Sequence, residues 1–158
     1  MNIFILDYDI KTNVSYYNDK HVVKMILEST QILSTVNRRK GYNEGYKITH
    51  INHPCVIWTS ESLENYFYVK ELAYALIEEW RYRFHGGLKT PNKCEQILND
   101  LTVPLFMNYA ITKPPQCMPD YCKNKDIVLA YRKYYIEEKQ HIAKWTRRPI
   151  PEWYKVKE

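Results

Sequence analysis

The sequence predicts an all-α fold, a single compact domain of about three major helices. Glycine is scarce at 4 residues while tyrosine reaches 15, a balance that suits amphipathic helices better than a glycine-turned sheet. Apolar side chains recur at helical spacing in three long stretches, and the 158-residue length fits one hydrophobic core. Apolar residues at 45% and charged residues at 26% are ordinary globular values, so neither disorder nor a membrane span is expected.

Ile3 to Leu6 is a short apolar run ended by Asp7, Tyr8 and Asp9, suited to a short N-terminal strand or an extended buried arm. Residues 13–19 are turn-prone, and Asn18 or Asp19 can cap the helix that follows. That helix runs to about Arg39, with Arg38, Arg39 and Lys40 favourable at its C-terminal dipole and Gly41 as its stop. A loop occupies residues 41–54, where Pro54 biases His53 towards extended geometry.

Thr59 or Ser60 then caps a long helix to Phe84, halted by Gly86 and Gly87, with Leu63, Phe67, Leu72, Leu76, Trp80 and Phe84 as its core positions. Asn92 to Glu95 has the capping-box pattern and opens a short helix to about Leu101. Prolines 104, 114, 115 and 119 keep residues 102–119 irregular. A last helix is expected from Asp126 to Trp145, before prolines 149 and 151 forbid continuation.

The charge is unevenly placed. Residues 123–158 hold ten Lys/Arg against five Asp/Glu and so carry the whole net charge of +5. An anionic partner such as nucleic acid fits this asymmetry, and so does a solvated basic helix face. The N-terminus lacks a basic lead and a small-residue cleavage site, so no signal peptide and a cytoplasmic location are expected. Cys55, Cys94, Cys117 and Cys122 show no C-x-x-C pattern, so free thiols are expected rather than zinc or disulfides.

Three groups of residues carry candidate chemistry. At 100° per residue Lys20, Lys24 and Glu28 climb one face of the helix with His21 and Gln31 beside them, while Val22, Val23, Ile26, Leu33 and Val36 point away. This stripe offers an acid, a base or an amine nucleophile, although the same spacing also suits a solvated ladder of ion pairs. His50, Asn52 and His53 sit together in the loop with no carboxylate or thiolate spaced to complete a metal set, which favours hydrogen bonds to phosphate or base, or to the loop itself. Arg147, Arg148, Trp153, Tyr154 and Lys155 combine cations with aromatic faces, a pairing that stacks bases or pins a tail to a core. Arg38, Lys47 and Lys20 extend the basic candidates. No P-loop, G-x-G-x-x-G, G-x-S-x-G or H-E-x-x-H pattern occurs, so nucleotide hydrolysis, dehydrogenation and zinc proteolysis have no support.

Lys20 and Lys24 on the first long helix, then Tyr46-Lys47-Ile48-Thr49, His53-Pro54 and an end reading Arg148-Pro149-x-x-x-Trp153-Tyr154-Lys155, together resemble the pyrimidine-dimer DNA glycosylase family. These are the endonuclease V-type repair enzymes of phages and some bacteria, with related phage-encoded proteins. The resemblance implies an all-α fold and a reaction without metal or cofactor. In that family the N-terminal α-amine attacks C1′ of the damaged nucleoside, a helix carboxylate steadies the charged sugar and imine, and β-elimination cuts the strand.

An α-amine titrates at about 8, which makes it a usable nucleophile. The family's helix reads basic-Glu-x-x-basic, whereas this one reads Lys20-His21-x-x-Lys24, so Glu28 must supply the carboxylate from further along. Bulky Asn2 leaves Met1 in place, so the amine would be that of methionine. The leading expectation is a phage-type, DNA-directed glycosylase/AP lyase with Met1 or Lys24 as nucleophile, Glu28 as acid/base and His21 assisting. The alternatives are a non-catalytic protein that binds nucleic acid or a small nucleotide, and an inert helical interaction protein.

Overall fold

A computed structural model describes residues 1–155, so the last three of the basic stretch counted above lie outside the described residues. The described residues form six α-helices and no strand: α1 Ile10–Tyr16, α2 Asp19–Arg39, α3 Pro54–Glu61, α4 Leu63–Phe84, α5 Lys93–Asp100 and α6 Ile127–Glu138. Single 3-10 turns lie at Asp120–Cys122, before α6, and at Gln140–Ile142, after it. The all-α expectation holds, but six helices replace about three. Among the described residues no helix is long and apolar enough to cross a membrane.

The N-terminal run is a buried arm rather than a strand. Ile3, Phe4, Ile5 and Leu6 are all buried, and side chains serve the backbone groups that a neighbouring strand would otherwise satisfy. Asn13 Oδ1 accepts from the Leu6 N–H at 2.7 Å, and the Tyr17 hydroxyl donates to the Phe4 carbonyl at 2.6 Å. Arg132 Nε reaches the Leu6 carbonyl at 2.8 Å.

Asn13 and Tyr17 come from α1 and its C-cap, a helix that the turn-prone composition of residues 13–19 conceals. Asp9 starts it by accepting from the Thr12 N–H at 2.8 Å. Asn13 does not disturb this helix, because its amide is spent on the arm and does not compete for the local backbone.

α2 and α4 pack against each other through the centre of the core. α2 ends at Arg39 as expected, and Val22, Ile26, Leu33 and Val36 are buried, but Val23 is exposed on the polar side. The long helix is divided at Ser62, whose extended backbone ends α3 and whose hydroxyl accepts from the Asn65 N–H at 3.1 Å to cap α4. Tyr66, Val69, Leu72, Ala73, Leu76 and Ile77 form the core face of α4. Leu72 and Leu76 were expected there, whereas Leu63, Phe67 and Trp80 are only half-buried and Phe84 is exposed.

α5 opens at Asn92 as its sequence predicts. The last helix stops at Glu138, well short of Trp145, and the chain then turns so that Trp145 Nε1 donates to the Tyr16 carbonyl at 2.9 Å. Arg83 locks this end of the molecule. Fully buried, it pairs with Glu79 at 2.7 Å and Asp19 at 3.1 Å and donates to the carbonyls of Ser15 and Tyr17.

Candidate active site

The first turn of α2 is held from three sides. Asn18 Oδ1 caps it through the His21 N–H at 2.9 Å, while Asp19 accepts from the Thr146 N–H and hydroxyl and pairs with Arg83. With its apolar stripe in the core, the helix brings Glu28 to the edge of the protein, its side chain 12% exposed.

The arm delivers Met1 to the same edge. Asn2 is buried, donating from Nδ2 to the Cys117 carbonyl at 2.9 Å and accepting at Oδ1 from the Tyr131 hydroxyl at 2.9 Å. The Met1 side chain is buried while the residue as a whole is half-exposed, so its exposure belongs to the main chain that carries the amine.

The Met1 α-nitrogen stands 3.4 Å from Glu28 Oε2, and Lys24 Nζ stands 3.2 Å from Oε1. Oε2 is enclosed and accepts no hydrogen bond, so the ammonium group is its charged neighbour. The carboxylate thus lies between a main-chain amine fixed by a buried arm and the exposed Lys24.

His21 is set apart from this group. Its ring stacks on Phe4 with centroids 4.3 Å apart, and Nδ1 lies 2.7 Å from the Tyr135 hydroxyl. Burial, with the charges of Lys139, Lys24 and His141 behind it, pulls its pKa from 6.5 to about 3. A neutral imidazole packed between aromatic rings differs from the assisting role expected of it, and the cause is that His21 lies on the buried side of α2.

His53 takes a place nearer the amine. It caps α3, with Nδ1 accepting from the Cys55 N–H at 3.1 Å. Burial, the Met1 ammonium and His50 lower its pKa, and Glu28 opposes them. Cys55 and Cys117 join it, the three residues' ligand atoms lying within 4.8 Å of one another. The sulfur groups that the loop sequence lacks therefore arrive through the fold. Because His53 Nδ1 is committed to the helix cap, a metal ion would have to displace that bond to use it.

Lys20, Lys24 and Lys144 line an open depression of about 760 Å³ with Phe84, Val23, Asp19 and Thr146. Lys47, His50 and Asn52 are exposed on the loop after α2, which is tied back to the helix through Thr35 and Thr49. Arg38 braces this loop, donating to the carbonyls of Tyr46 and Gly45 and to Asn43, and so serves its conformation.

The tail packs onto the core. Arg148 grips Glu79 through two bonds of 2.9 and 2.8 Å and lies over the Tyr82 ring. Trp153 packs edge-on against Tyr16 and Tyr135, and Tyr154 against Trp145. Their faces are taken by the core, while Arg147 and Lys155 remain exposed. Asn2 and Lys144 escaped the sequence reading, and the meeting of Cys55 with Cys117 did too, since no local spacing links residues that the fold alone brings together.

The family model for pyrimidine dimer DNA glycosylases matches residues 1–91, a span that takes in Met1, Lys24, Glu28 and His53 but not the tail. No curated protein and no solved structure matches the chain. With more than half of its length covered, the chain belongs to the pyrimidine dimer DNA glycosylase family.

Proposed function

We propose that the protein is a DNA glycosylase with AP-lyase activity in which the Met1 α-amine is the nucleophile and Glu28 its carboxylate partner. The observation that carries this reading is the 3.4 Å approach of Met1 N to Glu28 Oε2. The amine must lose a proton before it attacks, and Glu28 is placed to accept it. Attack of the nitrogen lone pair on C1′ forms the C–N bond as the glycosidic bond breaks and the base departs with its electron pair. The resulting N-glycoside opens to an iminium as the C1′–O4′ bond breaks and O4′ takes up a proton, and the positive charge on the nitrogen is opposed by Glu28. Loss of a C2′ proton and departure of the 3′-phosphate complete the β-elimination.

Lys24 holds the other carboxylate oxygen and orients it. Lys20 and Lys144 around the depression, with Lys47 on the loop, are suited to bind phosphates. Arg147, Lys155, His50 and Asn52 are exposed and suited to further polar contacts with the duplex.

Incubating the protein with ultraviolet-irradiated or abasic duplex in the presence of borohydride tests the reading. A reduced covalent protein–DNA adduct is expected, with strand cleavage when borohydride is omitted. Uncut DNA and no adduct on either substrate would refute the lyase mechanism.

A further inference from the structure

Four free cysteines are present, and two of them meet beside the arm. Cys55 lies in the first turn of α3 with no exposed surface, and Cys117 lies half-exposed in the proline-rich segment. Their sulfurs are 3.7 Å apart although 62 residues separate them in sequence.

The surroundings give the two thiols unequal character. The contact between the two sulfurs, in which either S–H can donate, pushes Cys117 below the usual thiol range and, with burial, pushes Cys55 above it. The Met1 ammonium charge also favours a Cys117 thiolate, against the cost of burial. Thiolate character and access together mark the sulfur that oxidants reach first, and a second thiol in contact is what turns the first product into a disulfide. Neither of the other cysteines has this arrangement: Cys94 sits 3.7 Å from the Tyr46 hydroxyl, and Cys122 is buried with its thiol pushed up by burial.

We propose that Cys117 and Cys55 form a redox-modification site, in which a hydroperoxide oxidises Cys117 and Cys55 resolves the product into an intramolecular disulfide. The Cys117 sulfur attacks the terminal peroxide oxygen, the O–O bond breaks, and the protein gains a sulfenic acid while the oxidant leaves as alcohol or water. The Cys55 sulfur then attacks the Cys117 sulfur and loses its proton, and the departing hydroxide takes it up as water. Two electrons have passed from the thiol pair to the peroxide. Bond formation needs the sulfurs to close from 3.7 Å to about 2 Å. Cys117 lies outside regular secondary structure, whereas Cys55 sits within helix α3.

The bridge would also reach the arm, since the Cys117 carbonyl receives the Asn2 amide. The proposal rests on the sulfur geometry and stands whether or not Met1 is the nucleophile.

The test uses the full-length, freshly reduced protein, treated natively with a small excess of hydrogen peroxide, then alkylated in denaturant and mapped by mass spectrometry. The expected product has two alkylated thiols, at Cys94 and Cys122, a peptide pair linked through Cys55 and Cys117, and four alkylated thiols again after dithiothreitol. In Cys55→Ser, dimedone should label Cys117, whereas in Cys117→Ser the remaining Cys55 should stay unlabelled. Four alkylatable thiols after peroxide in the wild-type protein, or a bridge through Cys94 or Cys122, would overturn the proposal without any use of the variants.

Discussion

The Met1 α-nitrogen lies 3.4 Å from Glu28 Oε2, which brings the first residue of the chain to the third turn of α2. Glu28→Gln keeps the shape and removes the base. Single-turnover cleavage of ultraviolet-irradiated duplex should slow by roughly 10²-fold or more, with duplex affinity retained. An unchanged rate would remove Glu28 from the chemistry.

Lys20 and Lys144 approach the open depression from α2 and from the segment after α6. If each meets a phosphate, replacing either with alanine should weaken duplex binding and lower the slope of log K against log salt by about 0.9. Titrations at several salt concentrations read this directly. Slopes equal to wild type would place the DNA elsewhere.

His21 gives the fold an acid-sensitive point. Its ordinary pKa of 6.5 falls to about 3 in the folded protein. Above about pH 6.5 neither state takes a proton at this ring, and its contribution to stability is fully present. As the pH falls towards 3 the unfolded chain binds a proton that the folded one refuses, and stability is lost by at most about 1.4 kcal/mol per pH unit. Urea unfolding between pH 7 and 4 should show this slope, and His21→Gln should flatten it. A variant with the wild-type slope would contradict the assignment.

Arg83 is buried with two carboxylates and three carbonyls around it. Arg83→Met should cost about 3–5 kcal/mol by leaving Asp19 without its cation and the carbonyls of Ser15 and Tyr17 without donors. Lysine at the same position keeps the charge but not the fork of donors, and should recover only part of the loss. Denaturant midpoints of the two variants provide the comparison. A methionine variant as stable as wild type would show that the cluster does not hold α1, α2 and α4 together.

How far the sequence could be read depended on where each partner lies. α2 was legible from end to end, because Asn18, its apolar stripe and Arg38 to Gly41 are local features of one helix. α1 was hidden because Asn13 and Ser15 look like turn formers, and only the arm shows what Asn13 bonds to. The division at Ser62 is equally obscure, since Thr59 and Ser60 offer the same capping chemistry a few residues earlier.

In the site, Lys24 and Glu28 are four residues apart and were visible as a pair, whereas their meeting with Met1 depends on the packing of Phe4 and Leu6. The surroundings of His21 were not legible either, because Phe4 and Tyr135, which pack on its ring, come from the arm and from α6. Trp153 and Tyr154 were ambiguous, and the edge-on contacts with Tyr16, Tyr135 and Trp145 decided their use.

The most direct test of the central claim locates the trapped sugar. After borohydride reduction on an abasic duplex, nuclease digestion and peptide mapping should find the remnant on the Met1 α-nitrogen, with Met1 retained in the intact mass. A remnant on Lys24 Nζ, or an amine still free in a protein that cleaves the strand, would contradict the account.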